Sequence, residues 1–268
     1  MRPYTDSKDA FARGCRRALD EGRIIANMGY VSNVVQVYDA FPENGTVYIV
    51  MEYIDGATLS QLVKGSGPMN WRYAYSLLRP IMAALRQIHA KGVIHRDISP
   101  DNIMQRRANG EMVLLDFGAA HPFQEGQAGH TQSLRPGYAP VEQYSTTSAQ
   151  DARTDEYAMC ATFYYLITGI TPKGADQLPQ SDQSLQSPRS LGVNIPESVE
   201  AVLLKGMSLR LYWLPSRRLA VGCCLEIAIR GVHLSPKRRR RRRRKCRWRN
   251  PQRNLRKMLP KCRQPRLL

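Results

Sequence analysis

"HRDISPDNIM", residues 95–104, joins in one short loop a carboxylate and an amide of the kinds that phosphoryl chemistry needs. Moving a phosphoryl group calls for little covalent help. It needs a carboxylate beside the attacking hydroxyl and hard cations to neutralise the phosphates. Asp97 is the predicted base. Asn102, at the far end of the loop, offers a neutral oxygen to Mg²⁺, and Asp116, after the next strand, offers a charged one. Oxygen ligands plus phosphate suit that ion. A lone His-Arg-Asp triplet is weak evidence, and Asp116-Phe117-Gly118 alone also reads as an ordinary strand-to-turn. The spacing H-R-D-x4-N, then a hairpin, then D-F-G, is far more specific.

Working outward, "NIMQRRANGEMVLLDFG" predicts a hairpin turning at Asn109-Gly110. Upstream, "NWRYAYSLLRPIMAALRQIHAKG" predicts a long helix capped by Asn70. Leu77, Leu78, Ile81, Leu85 and Ile88 form its buried side, and Pro80 is expected to kink it. "VVQVYDAF" and "TVYIVMEY" predict a second hairpin with Asn44-Gly45 at its tip, and Asp55-Gly56 breaks the pattern. The first segment, "SKDAFARGCRRALDEGRIIANMG", has helical character. Ser7 is its predicted cap, Phe11, Ala18, Ile25 and Met28 its apolar side, and Gly29 its end. "TDEYAMCATFYYLITGI" is apolar nearly all round, which predicts a helix in the middle of a domain. "PESVEAVLLKGMSLR" predicts the last helix.

In this order the elements resemble a eukaryotic-type protein kinase domain of the serine/threonine kind also found in bacteria. The likeness covers roughly residues 8–210 and is most specific over 46–56, 94–119 and 136–170. It implies an α+β, protein kinase-like bilobal fold with a truncated N-lobe and a mainly helical C-lobe. Residues 1–54 would be the N-lobe, 55–210 the C-lobe and 211–268 a basic tail. It implies transfer of the ATP γ-phosphate to protein Ser/Thr hydroxyls with Mg²⁺. "GYAPVEQY" matches the segment ending in A-P-E, with Glu142 its acid, and Asp155 would hold the catalytic-loop backbone. Arg217 is the nearest partner for Glu142. Met51 would be the gatekeeper, with the Glu52 carbonyl and the Ile54 N–H facing adenine and Met104 beneath it. Glu21 would be the ion-pairing glutamate of the αC helix, and Ile25, His95 and Phe117 would belong to the hydrophobic spine. Arg96 would read a phosphate on the activation segment, at Thr131 or Ser133. Glu52 also reads as a strand-end charge in solvent, and Glu21 as a solvated residue on a basic helix. An aminoglycoside-type phosphotransferase shares H-x-D…N…D but lacks the A-P-E segment.

Three features depart from the pattern, the third being the tail, where the kinase-like pattern stops abruptly after about residue 210. No G-x-G-x-x-G run occurs, and no strand lysine precedes Glu21, so the expectation is adenine with a floor and no roof. Ser99 stands where such kinases usually carry a lysine that reaches the γ-phosphate. A catalytically inactive pseudokinase or kinase fragment, acting as a binding module, is the alternative reading.

The formal net charge of +18 belongs almost wholly to one end. Residues 1–210 hold 20 Lys+Arg against 21 Asp+Glu, and residues 211–268 hold 20 against one. The run "KRRRRRRRK" and Trp248 admit a nucleic-acid arm or a tether to an anionic membrane through residues 237–249. They also admit a disordered coil, or a lysine-codon run read out of register. With six cysteines in no metal-site or disulfide spacing and no apolar leader, the sequence predicts a cytoplasmic protein without a transmembrane segment.

Overall fold

The first helix, α1 (Thr5–Met28), is stopped by Gly29, whose φ of 71° lies in the left-handed region. It packs on an antiparallel hairpin of β1 (Val37–Glu43) and β2 (Thr46–Met51). Asn44 and Gly45 turn that hairpin with φ of 50° and 72°, the pair of positive values a two-residue turn requires. Phe41 and Tyr48 sit opposite each other and stack at 5.8 Å. Gly22 sets the closeness of helix to hairpin, because a Cβ there would lie 2.7 Å from the Ala40 Cβ. The structure, a computed structural model, describes residues 5–116, 121–122, 134–145, 148, 150–175 and 185–208.

Two expectations for α1 need correction. Ser7 lies inside the helix rather than at its cap, since helical structure already begins at Thr5. Phe11 is exposed rather than part of the buried side. The Cys15 Sγ meets the carbonyl of Gly45 at the hairpin tip, so Phe11, a turn earlier, overhangs the end of the sheet. Ile25 and Met28 are buried as the spacing predicts.

After the hairpin comes a three-residue strand, β3 (Gly56–Thr58), and then α2 (Leu59–Ser66). The sequence reading had only a break there. Thr58 and Gln61 close a capping box: the Thr58 hydroxyl accepts from the Gln61 N–H at 3.1 Å, and the Gln61 side chain accepts from the Thr58 N–H at 2.8 Å. β3 pairs with β5 (Ile103–Arg106), which pairs with β6 (Met112–Leu114). Gly56 is needed at that edge, because a Cβ would fall 2.0 Å from the Gln105 carbonyl oxygen.

α3 (Trp71–Ala90) starts at Asn70, whose side chain accepts from the Arg72 N–H, and it runs through Pro80 as one helix. Its five predicted apolar positions are all buried. It packs against α4 (Ala152–Thr168), buried on nearly every side, which also meets α5 (Glu197–Gly206). β4 (Val93–Ile94) leaves α3 toward the site and pairs with β7 (His121–Pro122). The Val35 N–H and Asn33 carbonyl bond to Leu114, tying the end of α1 to the strand that leads to Asp116. Phe117, Thr131, Ser133, Arg217, the side chain of Glu21 and the segment 237–249 lie outside the described residues. Among the described residues no helix is long and apolar enough to cross a membrane.

Candidate active site

Leaving β4, the chain turns through His95 and Arg96, and Arg96 takes a φ of 70°, uncommon for a side chain of its size. Asp155, fully buried on α4, holds that turn. Its Oδ2 accepts from the His95 N–H at 2.9 Å and its Oδ1 from the Arg96 N–H at 2.8 Å. His89 Nε2, from the last turn of α3, lies 2.7 Å from the same Oδ2. Burial alone would raise the pKa of Asp155. The bond and charge of His89, with help from His95, outweigh it and hold the value below normal. Burial likewise lowers the pKa of His89, but Asp155 outweighs it and the net shift is upward. Each partner's shift thus favours the charged form of the pair. From the other side, Gln143 in the short 3₁₀ helix Val141–Tyr144 donates to the Arg96 carbonyl at 2.8 Å.

The His95 ring is wholly buried. Its Nε2 donates to the Leu115 carbonyl at 3.0 Å, while Nδ1 accepts from the Asp97 N–H at 3.3 Å. Asn102 closes the loop: its Nδ2 donates to both the Asp97 carbonyl and Asp97 Oδ2, each at 2.8 Å. Its backbone bonds to Ser99 and Leu115, so loop and β6 move as one piece. With Nδ2 committed inward, the amide oxygen of Asn102 is left to face the site. Ser99 is fully buried, and its hydroxyl has no partner among the described residues. Asp116 follows at an exposed position with a φ of 49°.

Arg135 reaches in from a turn before the 3₁₀ helix. Its Nε and Nη2 take the two oxygens of Asp97 at 3.0 and 3.3 Å. Its Nη1 takes Asp101 Oδ2 at 3.1 Å, and Nη2 lies 3.5 Å from Asn102 Oδ1. Burial lowers the guanidinium's pKa, yet Asp97, Asp101 and Asp116 outweigh it and raise the value. Glu142, buried beside α4, accepts from the Thr154 hydroxyl at 3.0 Å, and burial pushes its pKa up.

The opposite side is plainer. Met51 is 44% exposed, Ile54 is buried, and Met104 lies half-buried on β5. The Glu52 carboxylate, for which a strand-end charge in solvent is the alternative reading from sequence, pairs with Arg106 at 2.7 Å, and the Glu52 N–H bonds to the Gln36 carbonyl. The loop thus gathers His95, Arg96, Asp97, Ser99 and Asn102, and the paired strand brings Asp116 close enough for its charge to act on Arg135. Sequence reasoning missed His89, Arg135 and Gln143. Nothing in a linear pattern signals contacts spanning 66, 38 and 47 residues.

Among the described residues no three His, Cys, Asp or Glu side chains gather as a metal cluster. An amide oxygen at Asn102 and an exposed carboxylate at Asp116 are donor types that suit Mg²⁺, a hard cation that takes one or two carboxylates and completes its shell with phosphate and water.

A protein kinase domain model matches residues 4–225. A probable serine/threonine-protein kinase of Clostridium perfringens is 32% identical over 199 residues, which is 72% of this chain and 29% of that protein. Serine/threonine-protein kinase PknA of Nostoc is 30% identical over 211 residues, 76% of this chain and 37% of that one. The chain therefore spans only about a third of the length of these curated relatives. The crystal structure of the Mycobacterium tuberculosis PknI kinase domain superposes with a TM-score of 0.61. It does so at 23% identity, over 84% of this chain and 82% of that one, a likeness of fold.

Proposed function

Because this chain belongs to the protein kinase domain family, we propose that its loop 95–102 transfers the γ-phosphoryl group of ATP to a Ser or Thr hydroxyl of an acceptor protein. The observation that supports this most directly is the pair of hydrogen bonds that Asn102 Nδ2 donates to Asp97. One amide holds the base in place and at the same time turns its own oxygen toward the site. Asp97 takes the proton of the acceptor hydroxyl as that oxygen bonds to phosphorus and the bond to ADP breaks. Asn102 and Asp116 would hold Mg²⁺, which when bound neutralises phosphate charge. Asp155 and His89 preorganise the turn that presents Asp97. His95 and Arg96 position the loop. The Met51–Ile54 stretch meets adenine through the Glu52 carbonyl and Ile54 N–H, with Met104 below. Glu21 on α1 remains the assigned αC acid, and residues 1–54 and 55–210 the two lobes.

The test is incubation of the full chain with γ-labelled ATP, Mg²⁺ and a mixed Ser, Thr and Tyr peptide set. The expected label appears on Ser and Thr and disappears when Mg²⁺ is chelated. Label no higher than a protein-free control would instead support a binding module without transfer.

A further inference from the structure

Ser99 leaves the catalytic loop without the lysine that the kinase resemblance leads one to expect there, and the structure supplies a cation from elsewhere. Ser99 is fully buried and its hydroxyl has no partner among the described residues. Arg135 comes from the turn before the 3₁₀ helix and touches, with one planar group, both oxygens of the base and the Oδ1 of Asn102. A terminal phosphoryl group must lie between the base and the metal-side oxygens in order to be transferred. That is the space the guanidinium borders.

Its mount is firm. The Arg135 carbonyl accepts from the N–H groups of Tyr138 and Ala139, each at 3.0 Å, fixing the residue at the head of a turn. Gly137, at φ 88°, lets that turn lie against the segment after α4, because a Cβ there would come 2.4 Å from the Pro172 carbonyl oxygen. The side chain itself is 34% exposed, so a ligand entering the cleft can reach it. A guanidinium's parallel N–H groups match phosphoryl oxygens as well as they match a carboxylate.

We propose that Arg135 is the phosphate-binding cation of this site: it grips the γ-phosphoryl oxygens of ATP and, in doing so, releases Asp97 to the acceptor hydroxyl. Two roles follow for one residue. Without nucleotide it neutralises Asp97 and Asp101, and with nucleotide it trades those carboxylates for phosphate. No proton moves in the exchange. This inference rests on the phosphoryl-transfer reading above.

The experiment measures Mg·ATP and Mg·ADP affinities of the full chain by calorimetry. The proteins are wild type, Arg135→Ala, Arg135→Lys and the double variant Arg135→Ala/Ser99→Lys. The ³¹P spectrum of bound Mg·ATP is recorded alongside. Arg135→Ala is expected to weaken Mg·ATP about 10- to 100-fold, the range for losing charge-assisted bonds, and Mg·ADP less than about threefold. The γ resonance should move and the α resonance stay. Arg135→Lys should fall between, and Ser99→Lys should restore most of the loss, which also answers for a single variant that folds poorly. Equal losses for ATP and ADP, or an unmoved γ resonance, would overturn the proposal and leave the transfer reading standing. Tighter Mg·ATP binding by Arg135→Ala would make the residue a plug and overturn it too. Wild type that binds neither nucleotide would sink the transfer reading, and this inference with it.

Discussion

Between Ile94 and Ile103 the chain buries His95, Asp97, Ser99 and Asn102, and bonds from α4, Leu115 and the 3₁₀ helix fix the turn, with His89 of α3 bonded to Asp155 behind it. Between Val50 and Gly56 it leaves Met51 and Tyr53 44% and 85% exposed, and the charge of Glu52 is held by one partly exposed arginine. In the proposed reading, both stretches serve the same ligand. On the first, side chains would carry the proposed chemistry, so their identity and geometry would both be constrained. On the second, a backbone carbonyl and N–H would meet the base, and the side chains are free to serve the strand. Buried polar groups are costly unless fully bonded, so the loop accepts large constraints in order to keep Asp97 and Asn102 in place.

The sharpest way to break this contrast is at Asp155. Asp155→Ala removes the acceptor for two buried N–H groups and leaves His89 without its counter-charge. We expect a loss of roughly 3–5 kcal/mol in urea unfolding, the usual cost of breaking one side of a buried pair. A loss under about 1 kcal/mol would mean the loop does not depend on α4.

The His89–Asp155 pair also makes a pH prediction. His89 has a raised pKa in the folded protein, so its stabilising contribution is complete below its unfolded pKa near 6.5 and fades as pH rises through the folded value. Asp155, with a lowered pKa, contributes above its unfolded value near 3.9 and fades in acid. The stability gap between wild type and His89→Gln should therefore be widest near pH 5–6 and shrink by pH 9. Glu142, raised by burial, is present in both proteins and cancels in the difference. A gap that grows with pH would show that the pair is not charged.

The smallest effect belongs to the other stretch. Glu52→Gln breaks a pair whose side chains are 28% and 24% exposed, and it should cost no more than about 1 kcal/mol. A cost matching that of Asp155→Ala would erase the contrast between the two sides.

This division also explains what the sequence made legible. The loop, both hairpins and the long helices could be read because their signals are local: fixed spacing of reactive residues, Asn-Gly turns, apolar periodicity. β3 and α2 could not be read from periodicity, being a three-residue strand and a short helix. Thr58 and Gln61 nonetheless carry a capping-box spacing that would have marked the helix start. Phe11 misled because apolar spacing predicts a face, while the length of the opposing hairpin decides how much of that face is covered. His89, Arg135 and Gln143 act through tertiary contacts, and no window along the chain joins them to the loop.

The central claim is that Asp97 sits where a hydroxyl proton is taken during phosphoryl transfer. The most direct measurement is the rate of γ-phosphate transfer to a Ser/Thr acceptor by wild type and Asp97→Asn, side by side at saturating Mg·ATP. The account predicts a fall of about 10²–10⁴, the usual worth of a positioned base. Equal rates would contradict it.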